Sequence, residues 1–453
     1  MLKRSLAMLI TASVLTLAPI PAWSQMGGGG AGGGGMGGGG GMPSGGSMSW
    51  PTGGPGMPGR MGMGQGGSMS GARSDRQMHA EALQHGHRDL LDFDPRGNLI
   101  VRNEIVGVGA TMQGLATVQA AGFVVSRRDV LQGLDTEIVV LTAPQGMSAR
   151  KALQKLREID PDATYDFNHI YFESDAGTGA ENAAAVAQVS SPPGDVSASG
   201  RRVGLIDGGV EPSHPALRSL TLHTNGCNGA TVSSAHGTAI ASRLVAGFSG
   251  AGPTMPHVDL YVADVYCGAP SGGSTDAVIH GLGWLVQENV PVINVSLVGP
   301  PNALLQRVVE LLSTRGYVIV AAVGNDGPSA PPLYPAAYPG VVAVTGVDRR
   351  DKVLIEAGRG KFVAFAAPGA DIEAASLPSG SSPVRGTSFA APIVASRLAL
   401  LLEHPDPGAA DRAVSELAAS AVDLGSPGRD PVYGNGCVGC TAPDAAAGVA
   451  RLH

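Results

Sequence analysis

The chain has 453 residues, 43% of them apolar, which is enough for a large core and for two or three domains. Its formal net charge is −7 and no cluster of Lys and Arg supplies the basic surface that phosphate recognition needs, so no nucleic acid is expected as a partner.

At the N-terminus Lys3 and Arg4 precede the apolar run Leu6 to Ala18, and Ala22-Trp23-Ser24 sets small residues two apart before Gln25. This is the pattern of a secretory signal peptide, residues 1–24, cut after Ser24. The apolar run is too short for a comfortable membrane span and is closed by Pro19 and Pro21. No membrane span is expected after signal removal, and the expected location is extracytoplasmic, periplasmic or secreted. From Met26 to about Ala72 the chain is Gly, Met, Ser and Pro with almost no aliphatic residues. Such a tract cannot bury enough surface to offset the entropy of ordering, so residues 25–95 are expected to be a disordered tether and linker. His79, His85 and His87 fall among charged residues in that linker, as a solvated helix or an extension of it.

Residues 96–172 carry a different pattern. Glu104 to Val108 is a short apolar strand, Met112 to Ala121 is helical in composition, and Phe123 to Ser126 is β-like. Glu137 to Thr142 is a further strand, Ser148 caps a helix whose Ala149, Ala152, Leu153, Leu156 and Ile159 share one face, and Thr164 to Asn168 closes the set. The order βαββαβ is the split, ferredoxin-like α+β arrangement. From Ala176 to Ser199, within a linker at 173–199, Gly, Ala, Ser and Pro dominate.

Beyond residue 200 apolar strands alternate with helical segments. The strands are Val203–Ile206, Leu260–Val265, Val292–Leu297, Val318–Ala322 and Val341–Val347. The helices are His236–Val245, Thr275–Glu288, Ala303–Thr314, Ser388–Leu402 and Pro407–Ala419. This alternation predicts an α/β domain at 200–453, with a mostly parallel sheet between two helical layers and its active site at strand ends. Four cysteines in an exported chain imply two disulfides, and three connectivities are open. Cys227 and Cys267 flank the His236 helix and the strand Leu260–Val265, which favours that pair and Cys437–Cys440 as the other. No metal site is expected, because a single Cys-x-x-Cys offers two ligands and no His follows it closely.

Within this frame four segments carry chemistry. Arg385-Gly386-Thr387-Ser388-Phe389-Ala390-Ala391-Pro392 sets Ser388 on a glycine turn at the start of an apolar helix, as a nucleophile. A hydroxyl attacks a carbonyl only with a base beside it and a group that orients the base. His236 in His236-Gly237-Thr238 is the candidate base. Asp207, at the end of Val203-Gly204-Leu205-Ile206, is the orienting carboxylate, and Asn325 in Gly324-Asn325-Asp326-Gly327 is the donor to an oxyanion.

The ordered set Ile-Asp-Gly-Gly, His-Gly-Thr, Val-Gly-Asn-Asp-Gly and Gly-Thr-Ser-Phe-Ala-Ala-Pro resembles the subtilisin family of serine peptidases over about residues 200–450. The stretch Tyr334 to Val344 reinforces the likeness. The resemblance implies a serine endopeptidase with Asp207, His236 and Ser388 as its triad, acting through an acyl-enzyme on polypeptides bound in extended form. It implies that Ser296, Leu297, Val298 and Gly299, before Pro300, form the edge that pairs with substrate. Leu333 then lies near the floor of the primary specificity pocket, and with Val298 in place of a usual glycine the pocket is narrowed toward small or medium apolar residues. It also implies that the ferredoxin-like module is a propeptide, an inhibitor of its own peptidase, and that self-cleavage falls between Tyr171 and about Ser199. Gly208 departs from the Thr or Ser that usually follows the catalytic Asp. No cofactor is required by this chemistry. The family's Asn- and Asp-rich calcium loop is not recognisable in Ala246 to His257, which leaves calcium dependence open.

Overall fold

The computed structural model describes residues 74–174 apart from 132 and 135, residues 200–441 apart from 250–254, and the backbone of 186 and 187. The expected signal peptide, the Gly/Met-rich tract from Met26 to Ala72 and most of the linker at 173–199 therefore lie outside the described residues.

The C-terminal half is built on a seven-stranded sheet in which every pairing is parallel. Its order is Val363–Pro368, Val341–Val347, Val318–Ala322, Val292–Val295, Arg201–Asp207, Val258–Asp264 and Leu220–Asn225. The central strands are buried on both faces, as parallel strands covered by helices must be. Helices Thr275–Gln287 and Ala303–Thr314 pack on one face with Ile206, Ile293 and Ile319. Helices Ala235–Ser249 and Ala391–Leu401 pack on the other with Val203, Leu205 and Val320. The period-two alternation of these strand residues between the two cores follows from the pleat.

Two strands were hidden in the sequence. Leu220–Asn225 is an edge strand in which only Leu220 and Leu222 are apolar, and Val363–Pro368 is rich in alanine, so neither has a strong apolar run. The expected strand Val292–Leu297 also divides at Ser296. Val292–Val295 stays in the sheet, while Leu297–Val298 leaves it and pairs elsewhere. Likewise the helix expected at Ser388 begins at Ala391, after a 3₁₀ turn over Thr387–Phe389.

The N-terminal module has the expected strand and helix order, with Leu99–Val108 between Thr136–Thr142 and Thr164–His169, and Val124–Leu131 at the edge. Along Leu99–Val108 and Thr136–Thr142 the side chains alternate. Ile105, Val139 and Leu141 enter the module's own core with Leu115, Val118, Leu153 and Leu156. Val106, Val108 and Ile138 join Val278, Leu282, Val286 and Leu304 of the helices Thr275–Gln287 and Ala303–Thr314 in one continuous core. Polar groups fix the register of this contact. Asp166 Oδ2 accepts from the Ala303 backbone N–H at 2.8 Å, at the N-terminus of the helix Ala303–Thr314, where a carboxylate is favoured. Asn302 donates to the Phe167 carbonyl at 2.9 Å, and Asn168 donates to Asp276 at 2.9 Å.

The module begins earlier than residue 96. Ser74 forms a capping box with Gln77 and starts a helix over Asp75–Gly86, and Leu91–Phe93 adds a short strand beside Leu99–Val101. Polar residues dominate this helix, and only Ala80 is buried, so the sequence reads as a solvated linker. Ala80 nevertheless packs with Leu91, Leu99, Ile170 and Phe172.

Both disulfides form as favoured, Cys227–Cys267 and Cys437–Cys440. Among the described residues no helix is long and apolar enough to cross a membrane.

Candidate active site

Asp207 ends its strand at the sheet's C-terminal edge and is fully buried. Its Oδ1 accepts from the Gly208 backbone N–H at 2.7 Å and from His236 Nδ1 at 2.9 Å. The carboxylate fixes the proton on Nδ1 and makes Nε2 the basic nitrogen. His236 is held here by the start of its helix. Ser234 accepts from the Gly237 backbone N–H at 3.2 Å through its hydroxyl and from Thr238 N–H at 3.0 Å through its carbonyl.

Ser388 sits in the turn Thr387–Phe389, entered through Gly386 at φ 149°, a value that favours glycine. Its carbonyl accepts from the Ser296 hydroxyl at 3.2 Å, and that hydroxyl in turn accepts from Asn294 Nδ2 at 2.9 Å. The flanking residues tie the turn to the rest of the site. The Thr387 backbone N–H donates to Asn325 Oδ1 at 3.2 Å, Thr387 Oγ1 accepts from the Gly324 N–H at 3.1 Å, and the Phe389 ring stands 5.9 Å from the His236 ring. The Thr387 amide thereby points the Asn325 NH₂ group away from the serine turn and into the cleft.

The cleft is occupied by the chain itself. Phe172–Glu173 pairs antiparallel with Leu297–Val298, in the register Leu297 to Glu173 and Val298 to Phe172. On the other side the Tyr171 N–H donates to Gly273 O at 2.8 Å, and Ile170 bridges Ser274. The Ser174 N–H donates to Ser296 O at 3.2 Å, and Ser174 O accepts from Asn325 Nδ2 at 2.7 Å. Ile170–Ser174 thus lies as an extended strand between two edges, with one carbonyl held by the expected oxyanion donor. Tyr171 is fully buried, and its hydroxyl donates to Pro300 O at 3.0 Å. A Cβ on Gly299 would lie 2.4 Å from the Tyr171 ring, so the glycine makes room for it. Beside Ser174 the pocket is small. A Cβ built on Gly324 would meet Leu333 Cδ1 at 2.5 Å and Val298 Cγ1 at 3.3 Å, so both side chains crowd the wall next to Asn325.

All the expected site residues therefore converge: Asp207, His236, Asn325 and Ser388 at strand and helix ends, Ser296 to Gly299 along one edge, and Leu333 beneath it. Gly273, Ser274 and Tyr266, the opposite edge, were not anticipated, and Gly/Ser residues in a turn give no signal for such a role. The Tyr266 hydroxyl donates to Tyr171 O at 3.0 Å, and burial, with Glu173 and Asp207 nearby, pushes its ionisation well above the usual range. Burial likewise raises the Asp264 carboxyl, against the backbone N–H groups of Cys267 and Tyr266 that favour its charge. Beside Phe172 and Glu173 the groove opens into a cleft of about 1110 Å³ lined also by His236, Phe389 and, from the antiparallel strands Ala370–Ser376 and Gly380–Arg385, Ser376 and Arg385.

A parallel α/β sheet with a buried Asp–His pair, a serine on an adjoining helix-start turn, and a groove that receives an extended strand defines machinery for acyl transfer from a polypeptide. Comparison with known proteins agrees. The family model described as the subtilase family matches residues 198–436, and the chain belongs to that family. It is a serine-type endopeptidase by that membership. It is 31% identical over 249 residues to subtilisin DY of Bacillus licheniformis, covering 53% of this chain and 89% of that one. It is 29% identical over 316 residues to subtilisin E of Bacillus subtilis, covering 66% and 80%. The crystal structure of fervidolysin from Fervidobacterium pennivorans, a keratinolytic enzyme related to subtilisin, is similar in fold, with a TM-score of 0.58 at 17% identity over 77% of this chain and 61% of that one.

Proposed function

We propose that the chain is made as an exported zymogen whose residues 74–174 are an inhibitory propeptide, and that it cuts itself between Ser174 and Asp175. The observation that carries this reading is the 2.7 Å contact of Asn325 Nδ2 with the Ser174 carbonyl oxygen, which singles out that carbonyl as the one attacked. Ser388 Oγ adds to the Ser174 carbonyl carbon while His236 Nε2 takes the hydroxyl proton. Asp207 stabilises the imidazolium so formed, and Asn325 donates to the oxygen as it becomes an oxyanion. The carbon–nitrogen bond to Asp175 then breaks, and His236 returns the proton to the leaving amine. A water molecule, deprotonated by the same imidazole, hydrolyses the acyl-enzyme and frees the Ser174 carboxylate. The mechanism draws on no cofactor. Polypeptides bound in extended form between Leu297–Val298 and Gly273–Ser274 are the substrates, with a small residue before the cleaved bond because Val298 and Leu333 narrow the pocket. The signal-like segment at 1–24 supports export to the periplasm or medium.

The test uses the chain from Gln25 onward, as wild type and Ser388→Ala, treated with a fluorophosphonate probe and read by intact mass and N-terminal sequencing. Labelling, together with a new N-terminus at Asp175, is expected in wild type only. A folded wild type that is neither labelled nor cut would overturn the reading.

A further inference from the structure

Glu173, the second residue before the proposed cleavage, has its side chain against the catalytic pair. The hydroxyl of Ser234 donates to Glu173 Oε1 at 3.3 Å while accepting from the Gly237 N–H, so its one donor is directed at the carboxylate. One carboxylate oxygen of Glu173, one of Asp207 and one ring nitrogen of His236 lie within 4.8 Å of one another. Gly208 explains how this fits. A Cβ there would lie 2.5 Å from Ser234 Cβ and 3.6 Å from Glu173 Oε1, so glycine leaves the hydroxyl in place and the subsite open. The side-chain hydroxyl that a Thr or Ser at 208 would bring is absent, and Ser234 occupies that space.

We infer that the subsite formed by Gly208, Ser234 and His236 selects a glutamate two residues before the cleaved bond, with Ser234 as the residue that determines this specificity. The inference rests on the self-cleavage reading above and extends it to other substrates. The hydrogen bond from Ser234 discriminates Glu from residues that cannot accept it. The charge discriminates Glu from Gln, because the imidazole beside it becomes an imidazolium in the transition state, and a nearby carboxylate stabilises that cation. Since the charge is felt most in the transition state, the preference falls mainly on kcat.

The test uses the processed enzyme with internally quenched peptides containing Tyr-Phe-Glu-Ser-Asp-Ala, and versions with Gln, Ala or Lys in place of Glu. Wild type is expected to cleave the Glu peptide with kcat/KM about tenfold above the Gln peptide, and further above the Lys peptide, as one charge-assisted contact predicts. Ser234→Asp retains the helix cap, Asp being as good at that position as Ser, but sets a like charge against the substrate carboxylate. It should reverse the Glu to Gln ratio, whereas a purely structural role would leave the ratio unchanged. Ser234→Thr should restore the preference. Equal cleavage of all four peptides by wild type overturns the inference and leaves the endopeptidase intact. Failure to cut any of them, or casein, overturns the parent reading with it.

Discussion

The side-chain amide of Asn325 lies 2.7 Å from the Ser174 carbonyl oxygen, and its own oxygen accepts from the Thr387 backbone N–H. One residue therefore joins three parts of the chain: the end of the N-terminal module, the loop after a central strand, and the turn that carries the serine. The Thr387 contact fixes which way the amide faces. Asn325→Ala is expected to lower kcat by roughly 10²- to 10³-fold with a smaller change in KM, measured on a peptide substrate with active sites counted by titration. An unchanged kcat would remove Asn325 from the oxyanion site.

Size beside Ser174 gives a second expectation. Val298 and Leu333 both approach the Gly324 backbone that walls this pocket. Ser174→Phe should slow self-processing by about tenfold or more, since overpacking of a filled site costs about 1–3 kcal/mol. Leu333→Ala in the same chain should recover much of that loss. The readout is the half-time for appearance of the shorter form by gel.

The N-terminal helix is tied to the active-site loop. Arg76 donates through Nε and Nη2 to Asp326 Oδ2, next to Asn325, with the side chains only 19% and 13% exposed, and His79 packs edge-on against Phe172 with ring centres 5.4 Å apart. The helix thus lies over the strand that fills the cleft. Arg76→Ala should release activity from the processed, still-associated complex about tenfold sooner, on the scale of about 1.5–3 kcal/mol for hydrogen bonds between charged groups. The time course of peptide hydrolysis after processing measures it, and an unaltered lag would remove the helix from inhibition.

Acid should loosen the module. Asp94 lies where burial alone would raise its carboxyl, but hydrogen bonds from His169, from the Asn98 side chain and backbone, and from the Arg96 N–H outweigh this and hold it at about 2. His169 also contacts Asn302 of the peptidase half at 3.0 Å. A carboxyl lowered in the folded state binds fewer protons there than when unfolded. Its stabilisation, roughly 2 kcal/mol, is therefore full above the ordinary carboxylate range and is lost as pH falls from about 4 toward 2. In a Ser388→Ala background, Asp94→Asn should lower the melting temperature at pH 7 and have little effect near pH 2.

The two disulfides should differ in weight. Cys227–Cys267 closes 40 residues and Cys437–Cys440 only 3. In the chain-entropy model the first contributes about 4 kcal/mol and the second less than half of that. Paired Cys→Ser variants compared by thermal melting in oxidising buffer should show that order, and a larger loss from the short loop would contradict it.

The sequence alone determined the elements that rest on local or periodic signals. Parallel strands such as Val318–Ala322 are uninterrupted apolar runs because helices cover both faces. The helix Ala149–Ile159 has its apolar stripe and serine cap, and each of the four motifs sits at the end of a strand or the start of a helix. Asp207, His236, Asn325 and Ser388 were legible as a candidate set for that reason, and the structure gathers them around one cleft. Tertiary structure alone decided what pairs across distance. Polar Leu220–Asn225 becomes a strand because Val258–Asp264 offers it an edge, and Leu297–Val298 leaves the sheet because Phe172–Glu173 supplies another partner. The polar helix Asp75–Gly86 reads as solvent-exposed, yet Arg76 and Ala80 dock it on the cleft and its occupant. The proposal of Ser174 as the cleavage position rests on a single hydrogen bond spanning 151 positions, and hydrogen bonds between residues so far apart leave no period in a sequence.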